Sequence, residues 1–199
     1  TSKSEVEKLL PSLSYGDTVE LRPSGSVTAT GGATFNSFNI FKLNSQSQPY
    51  VPKVAYIKDV KSSGTAAGTF TSGSWVTRVL NTVSGNQSFV SISSNQITLQ
   101  PGTYNIEAMA PGYKVDDHKI RLRNVTDSSD SIIGSNAVAS STDFGHSYSI
   151  IQGDISIDIT KTFEIQHRCL TTAASNGLGN SVGVSVDEIY TTVKVTKTL

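Results

Sequence analysis

The chain is poor in the residues on which most protein chemistry depends. One cysteine among 199 residues, Cys169, excludes an intrachain disulfide. Extracellular domains of this size often carry several, so the shortage points to assembly in a reducing cytoplasm. The three histidines, His118, His146 and His167, have no sequence spacing that suggests a catalytic triad or a metal site. No G-x-S-x-G elbow, P-loop or dinucleotide fingerprint occurs. Charge of one sign is also missing. Sixteen basic residues balance sixteen acidic ones, which leaves no basic stripe for nucleic acid. Surface ions this sparse give little protection against association, as suits a subunit of an assembly. No apolar run reaches the length of a membrane span. The opening TSKSEVEKLLPSL lacks the basic and apolar regions of a signal peptide.

What the chain has is Ser, Thr, Gly and β-branched residues in short clusters, the composition of an all-β domain with one buried face per strand. The beginning differs. Ser2-x-x-Glu5 and Ser4-x-x-Glu7 are capping-box patterns, and Val6, Leu9, Leu10 and Leu13 form one apolar helical stripe. Pro11 predicts a stop near Leu10. So short a helix needs its leucines docked on another surface. Asp17 to Arg22 and Ser26 to Thr30 are expected strands. Gly31-Gly32 then turns the chain into a run containing Phe35, Phe38, Ile40 and Phe41. The polar, proline-containing NSQSQPYVP (44 to 52) is a linker pattern, which divides the chain into an arm, 1 to 50, and a main domain, 51 to 199.

Beyond it, strand-sized runs recur between turn residues, the pattern of a sandwich. The expected strands are Val54 to Val60, Trp75 to Thr82, Ser88 to Ile92, Gln96 to Leu99, Gly102 to Met109, His118 to Asn124, Tyr148 to Ile159, Lys161 to Cys169 and Glu188 to Lys197. In the eighth of these, His167 and Cys169 fall on one face, which predicts a buried thiol acting as a small hydrophobe. The last alternates Tyr190, Thr192 and Lys194 against Thr191, Val193 and Val195.

Four segments carry a family likeness: GTAAGTFTSGSWVTRVLNT (64 to 82), PGTYNIEAMAPGY (101 to 113), HKIRLRNVTD (118 to 127) and EIYTTVKVTKTL (188 to 199). In this order they resemble the C1q/TNF-like domain of bacteriophage virion surface proteins, over about three-quarters of the chain. The resemblance implies a ten-stranded jelly roll, three copies around an axis, and a non-enzymatic binding or structural role without cofactors. Tyr56, Trp75, Tyr104, Tyr190, Val193 and Val195 would then lie in the core or at the trimer contact. No coiled-coil, collagen or β-helical shaft precedes the domain, so attachment would fall to the arm, through Val6, Leu9, Leu10, Leu13, Phe35, Phe38 and Phe41. The expected partners are the chain itself and a capsid or tail protein, with a host glycan or protein as a further candidate. The location implied is the virion surface. A decoration or cement protein and a receptor-binding fibre tip both fit, and a secreted lectin fits less well.

Tyr113, Asp116, Asp117, His118, Phe144 and His146 are the candidate apical ligand contacts, expected in loops. Two adjacent carboxylates lack the spacing of a calcium loop, so no metal is assigned.

Overall fold

In a computed structural model, residues 19–23, 38–42 and 51–198 are described, and the chain divides into two compact units, Thr1–Val51 and Pro52–Leu199. In the first unit, β1 (Val19–Pro23) pairs antiparallel with β2 (Phe38–Lys42), Val19 opposite Lys42 and Pro23 opposite Phe38. The helix expected over 2 to 10, the strand over 26 to 30, and Val6, Leu9, Leu10, Leu13 and Phe35 lie outside the described residues.

The second unit is all-β. Its strands are β3 (Lys53–Lys61), β4 (Val76–Thr77), β5 (Thr82–Gly85), β6 (Val90–Ser93), β7 (Gln96–Leu99), β8 (Gly102–Tyr113), β9 (Asp116–Asn124), β10 (Ser129–Ile133), β11 (Ala137–Ala139), β12 (His146–Ile157), β13 (Lys161–Cys169) and β14 (Glu188–Lys197). One sheet has the order β12-β8-β14-β3-β5; the other has β10-β9-β13-β7-β6, with β11 on β9 and β4 on β13. Leaving aside β4, β5, β6 and β11, the remaining eight strands, β3, β7, β8, β9, β10, β12, β13 and β14 in chain order, run first-eighth-third-sixth and second-seventh-fourth-fifth in the two sheets. That interleaving is the jelly-roll order. The domain is an all-β jelly-roll sandwich, with no helix among the described residues.

Period-two alternation explains the core. Ala55 and Ile57 of β3, Tyr104, Ile106, Ala108 and Ala110 of β8, Ile120 and Leu122 of β9, Phe163 and Ile165 of β13, and Val193 and Val195 of β14 all point between the sheets and are buried. Each such aliphatic side chain contributes about 1.5–3 kcal/mol on burial. Tyr104 keeps its hydroxyl satisfied by donating to the Gln100 carbonyl at 2.6 Å, so the Tyr of PGTY closes the turn that begins its own strand.

Three expectations need correction. The run from Trp75 to Thr82 is not one strand: it splits into β4 and β5, because Arg78 turns inward and its backbone N–H donates to the Ile165 carbonyl. Asp116 and Asp117 are not in a loop but begin β9 ahead of His118, the expected first residue of that strand, and all three pair with β11 (Ala139, Val138 and Ala137); Tyr113 and His146, also expected in loops, end β8 and begin β12. The alternation in β14 is also broken. Its register shifts between Ile189 and Thr192, and this bulge buries Tyr190 and Thr191 together.

Candidate functional site

Three places in the second unit gather polar or exposed side chains. The first is buried. Arg78, 1% exposed, donates from Nε to Thr191 Oγ1 (2.7 Å), from Nη2 to the Leu178 carbonyl (2.8 Å) and from Nη1 to the Pro111 carbonyl (3.4 Å). Burial lowers its pKa to about 10, opposed by the nearby Asp59 carboxylate. Asp59 is itself buried, and desolvation raises its pKa against the pull of Lys61 and Arg78. Beside them, His118 Nδ1 lies 2.9 Å from His167 Nε2, and His118 Nε2 lies 2.7 Å from Ser147 Oγ. His167 Nδ1 has no partner and is packed under the Phe70 ring, centroids 4.5 Å apart. An orphaned lone pair is tolerated better than an orphaned N–H. His167 Nε2–H therefore donates to His118, and His118 Nε2–H donates to Ser147.

Serine, histidine and a second histidine have here the connectivity of a nucleophile, a base and an orienter. The surroundings make it a structural tie. A Cβ on Gly112 would lie 2.7 Å from His118 Nε2, so β8 backbone fills the space a substrate would need. Burial, with Arg78 close by, depresses the His118 pKa to about 4, which makes it a weak base at neutral pH. His167 is pushed lower still by burial, Arg78 and His118. Cys169 is buried, and desolvation raises its thiol pKa to about 11, which disfavours the nucleophilic thiolate. Among the described residues no group of three or more His, Cys, Asp or Glu is placed to hold a metal.

The second place is one end of the sandwich. Phe144, 86% exposed, carries the Lys114 ammonium 3.9 Å from its ring centroid. Tyr113 and His146 pack with centroids 5.3 Å apart, and His146 Nε2 accepts the Asn180 N–H at 2.7 Å. Of the expected apical contacts, Phe144 and His146 are exposed here. Tyr113 is buried at 7%, and His118 belongs to the interior tie. Asp116 is occupied internally, accepting the Ser141 N–H and the Thr171 hydroxyl, and these bonds lower its pKa. Asp117 is exposed on the outward face of β9, away from Phe144 in sequence and role.

The third place is the outward face of the five-stranded sheet. Tyr56 of β3, Met109 of β8, and Tyr148 and Ile150 of β12 are large apolar residues left exposed there, and Ile189 joins them at the β14 bulge. Met109 pairs with Ile150 on one side and Thr192 on the other; Lys194 sits between Glu107 and Tyr56. Lys194 Nζ donates to Glu107 Oε1 at 2.7 Å, which raises the lysine pKa. Tyr56, Glu107, Met109, Ile150, Thr192 and Lys194, among others, line a hollow of about 280 Å³. Tyr104, Tyr190, Val193 and Val195, by contrast, face the core, and Trp75 lies half-buried beside the opposite sheet.

Sequence reasoning missed the roles of Arg78, Glu188 and Ser147. The signal for Arg78 was present, since WVTRVLNT holds one cation in an apolar run. Glu188 was hidden by its partners, the backbone N–H groups of Gly64, Val182 and Gly183, which carry no side-chain signature.

No protein-family model matches the chain, and no curated protein is similar to it in sequence. Among solved structures it is similar in shape to crystal structures of murine APRIL at pH 8.0 (8% identity, TM-score 0.43) and pH 5.0 (9% identity, TM-score 0.43). Each comparison covers 74% of this chain and 99% of that one. At this distance the likeness adds nothing to the strand order, which by itself defines the jelly roll.

Proposed function

We propose that the chain is a non-enzymatic, homotrimeric structural protein of a bacteriophage virion, a decoration or cement protein whose arm docks on the capsid. The observation that carries this reading is the outward face of the β12-β8-β14-β3-β5 sheet. A lone domain gains nothing by exposing Tyr56, Met109, Tyr148, Ile150 and Ile189 together, whereas a self-associating one buries them. The resemblance of GTFTSGSW and PGTY to phage C1q/TNF-like domains supports the virion setting. A receptor-binding tip is the second reading, favoured by the exposed Phe144, with Lys114 over its ring, at one end of the sandwich.

Immunogold labelling of intact virions with antibody against residues 51 to 199 separates the two. Label over the whole head supports decoration; label restricted to the tail supports adhesion; no label on any particle overturns both. Deleting Thr1 to Leu13 is expected to abolish capsid attachment while the remaining chain stays associated.

A further inference from the structure

The outward face of the other sheet holds a groove of about 450 Å³, lined by Trp75, Asp117, Lys119, Asn136, Arg168 and Leu170 among others. That volume is within the range of clefts that take small ligands, about 300–1,000 Å³. Its charges are arranged unusually. Lys119 and Arg168 are direct partners in the β9–β13 register, on the face opposite the buried Ile120 and His167. Like charges placed opposite one another weaken a sheet. Neither has a hydrogen-bond or ion-pair partner among the described residues. Their neighbours on the same face are ion-paired: Arg121 and Arg123 share Asp130 at 2.9 and 3.0 Å.

The apolar wall is held ready. The Arg121 guanidinium lies 4.1 Å from the Trp75 ring centroid and is itself fixed by Gln166 Oε1 (3.0 and 2.7 Å) and Asp130. An indole already held by a stacked cation loses little freedom when a ligand arrives. Asp117 and the exposed Asn136 amide add hydroxyl-binding groups, an acceptor and an acceptor–donor pair.

We propose that this groove binds an acidic saccharide. The sugar carboxylate sits between Lys119 and Arg168, the apolar face of the ring lies against Trp75, and ring hydroxyls bond Asp117 and Asn136. Charge-assisted contacts from a guanidinium suit a carboxylate, and tryptophan offers an apolar body beside polar groups. A multiply charged phosphate ligand fits less well, because Asp117 would repel it. The inference rests on the proposed self-association only in one respect: the groove is on the sheet that such an assembly leaves open.

Trp75 is the only tryptophan, so its fluorescence reports on the groove. The full chain is titrated with sialyllactose, a glucuronic-acid disaccharide, lactose and sodium acetate, and its mass is measured by light scattering in the same buffer. A saturable change with either acidic sugar is expected, and which one responds identifies the sugar class. Lactose should bind roughly ten-fold more weakly, as should both acids with the K119Q/R168Q variant, the loss of one charge-assisted contact or more. Should that variant unfold, Arg168→Gln alone, at an exposed position, supplies the comparison. Equal response to lactose, an identical change with acetate, an unaffected variant or no response to any sugar overturns the proposal. A trimer that binds no sugar defeats the groove alone; a monomer that binds sugar defeats the self-association alone.

Discussion

Arg78 shows how one residue can hold several segments. It reaches Thr191 in β14, the end of β8 through the Pro111 carbonyl and the 178 loop through Leu178, with Asp59 nearby to balance its charge. Replacing Arg78 with Met leaves those acceptors unsatisfied and leaves Lys61, 3.9 Å away, as the cation beside the buried Asp59. Leaving a buried acceptor without its donor in this way costs about 1–3 kcal/mol. Urea unfolding of Arg78→Met should show a loss of that size. Adding Asp59→Asn should recover part of it, since Asp59 then no longer needs a counter-charge. Equal losses in the single and double variants would mean the two residues are independent. Asn81 plays a milder part: its amide bonds both the N–H and the carbonyl of Val60, at 2.9 and 2.7 Å, replacing strand pairing where β4 and β5 are interrupted.

At the scale of elements, His118 and His167 join β9, β13 and β12 through side chains in the interior. Both imidazoles are neutral in the folded domain, with pKa values below the ordinary 6.5. The unfolded chain therefore takes up protons first as the pH falls. Their contribution is complete above about pH 6.5 and declines below it, by about 1.4 kcal/mol per pH unit for each histidine. The carboxylates held low by hydrogen bonds, Asp116, Glu164 and Glu188, add their own losses only in the acid range below about pH 4.5. Between pH 6.5 and 4.5 the histidine pair should therefore carry most of the slope, with His146, also lowered by burial, adding to it. Denaturant midpoints across that window should fall steeply for the native chain and more gently for His167→Phe. A parallel decline in both would place the acid sensitivity elsewhere.

For the whole molecule, the two sheets present unlike faces. The five-stranded sheet exposes Tyr56, Met109, Tyr148 and Ile150, whereas the seven-stranded one carries on its outward face the exposed Arg168 and the partly buried Lys119, Arg121 and Arg123. If copies associate through the apolar face, a charge there must be buried at a cost of several kcal/mol. Ile150→Glu should then convert the oligomer to a monomer by light scattering, while Arg168→Gln should leave the mass unchanged. An Ile150→Glu protein of native mass would move the association surface away from this face. The solubility of such a monomer should also exceed that of the unmodified chain, because an exposed apolar cluster is broken.

Sequence by itself determined the all-β class, the core sets of most strands and the turns at PGTY and NGLG. These follow from local rules: period-two alternation assigns faces, and glycine and proline assign turns. It did not predict that Asp116 and Asp117 lie in a strand, because the partner that draws them into one, β11, is three residues long and unmarked in composition. Nor did it predict the inward turn of Arg78, the β14 bulge or the Lys119–Arg168 pair. Each of these depends on which distant backbone lies opposite, and register between strands remote in sequence is set only when the sheets close on a common core.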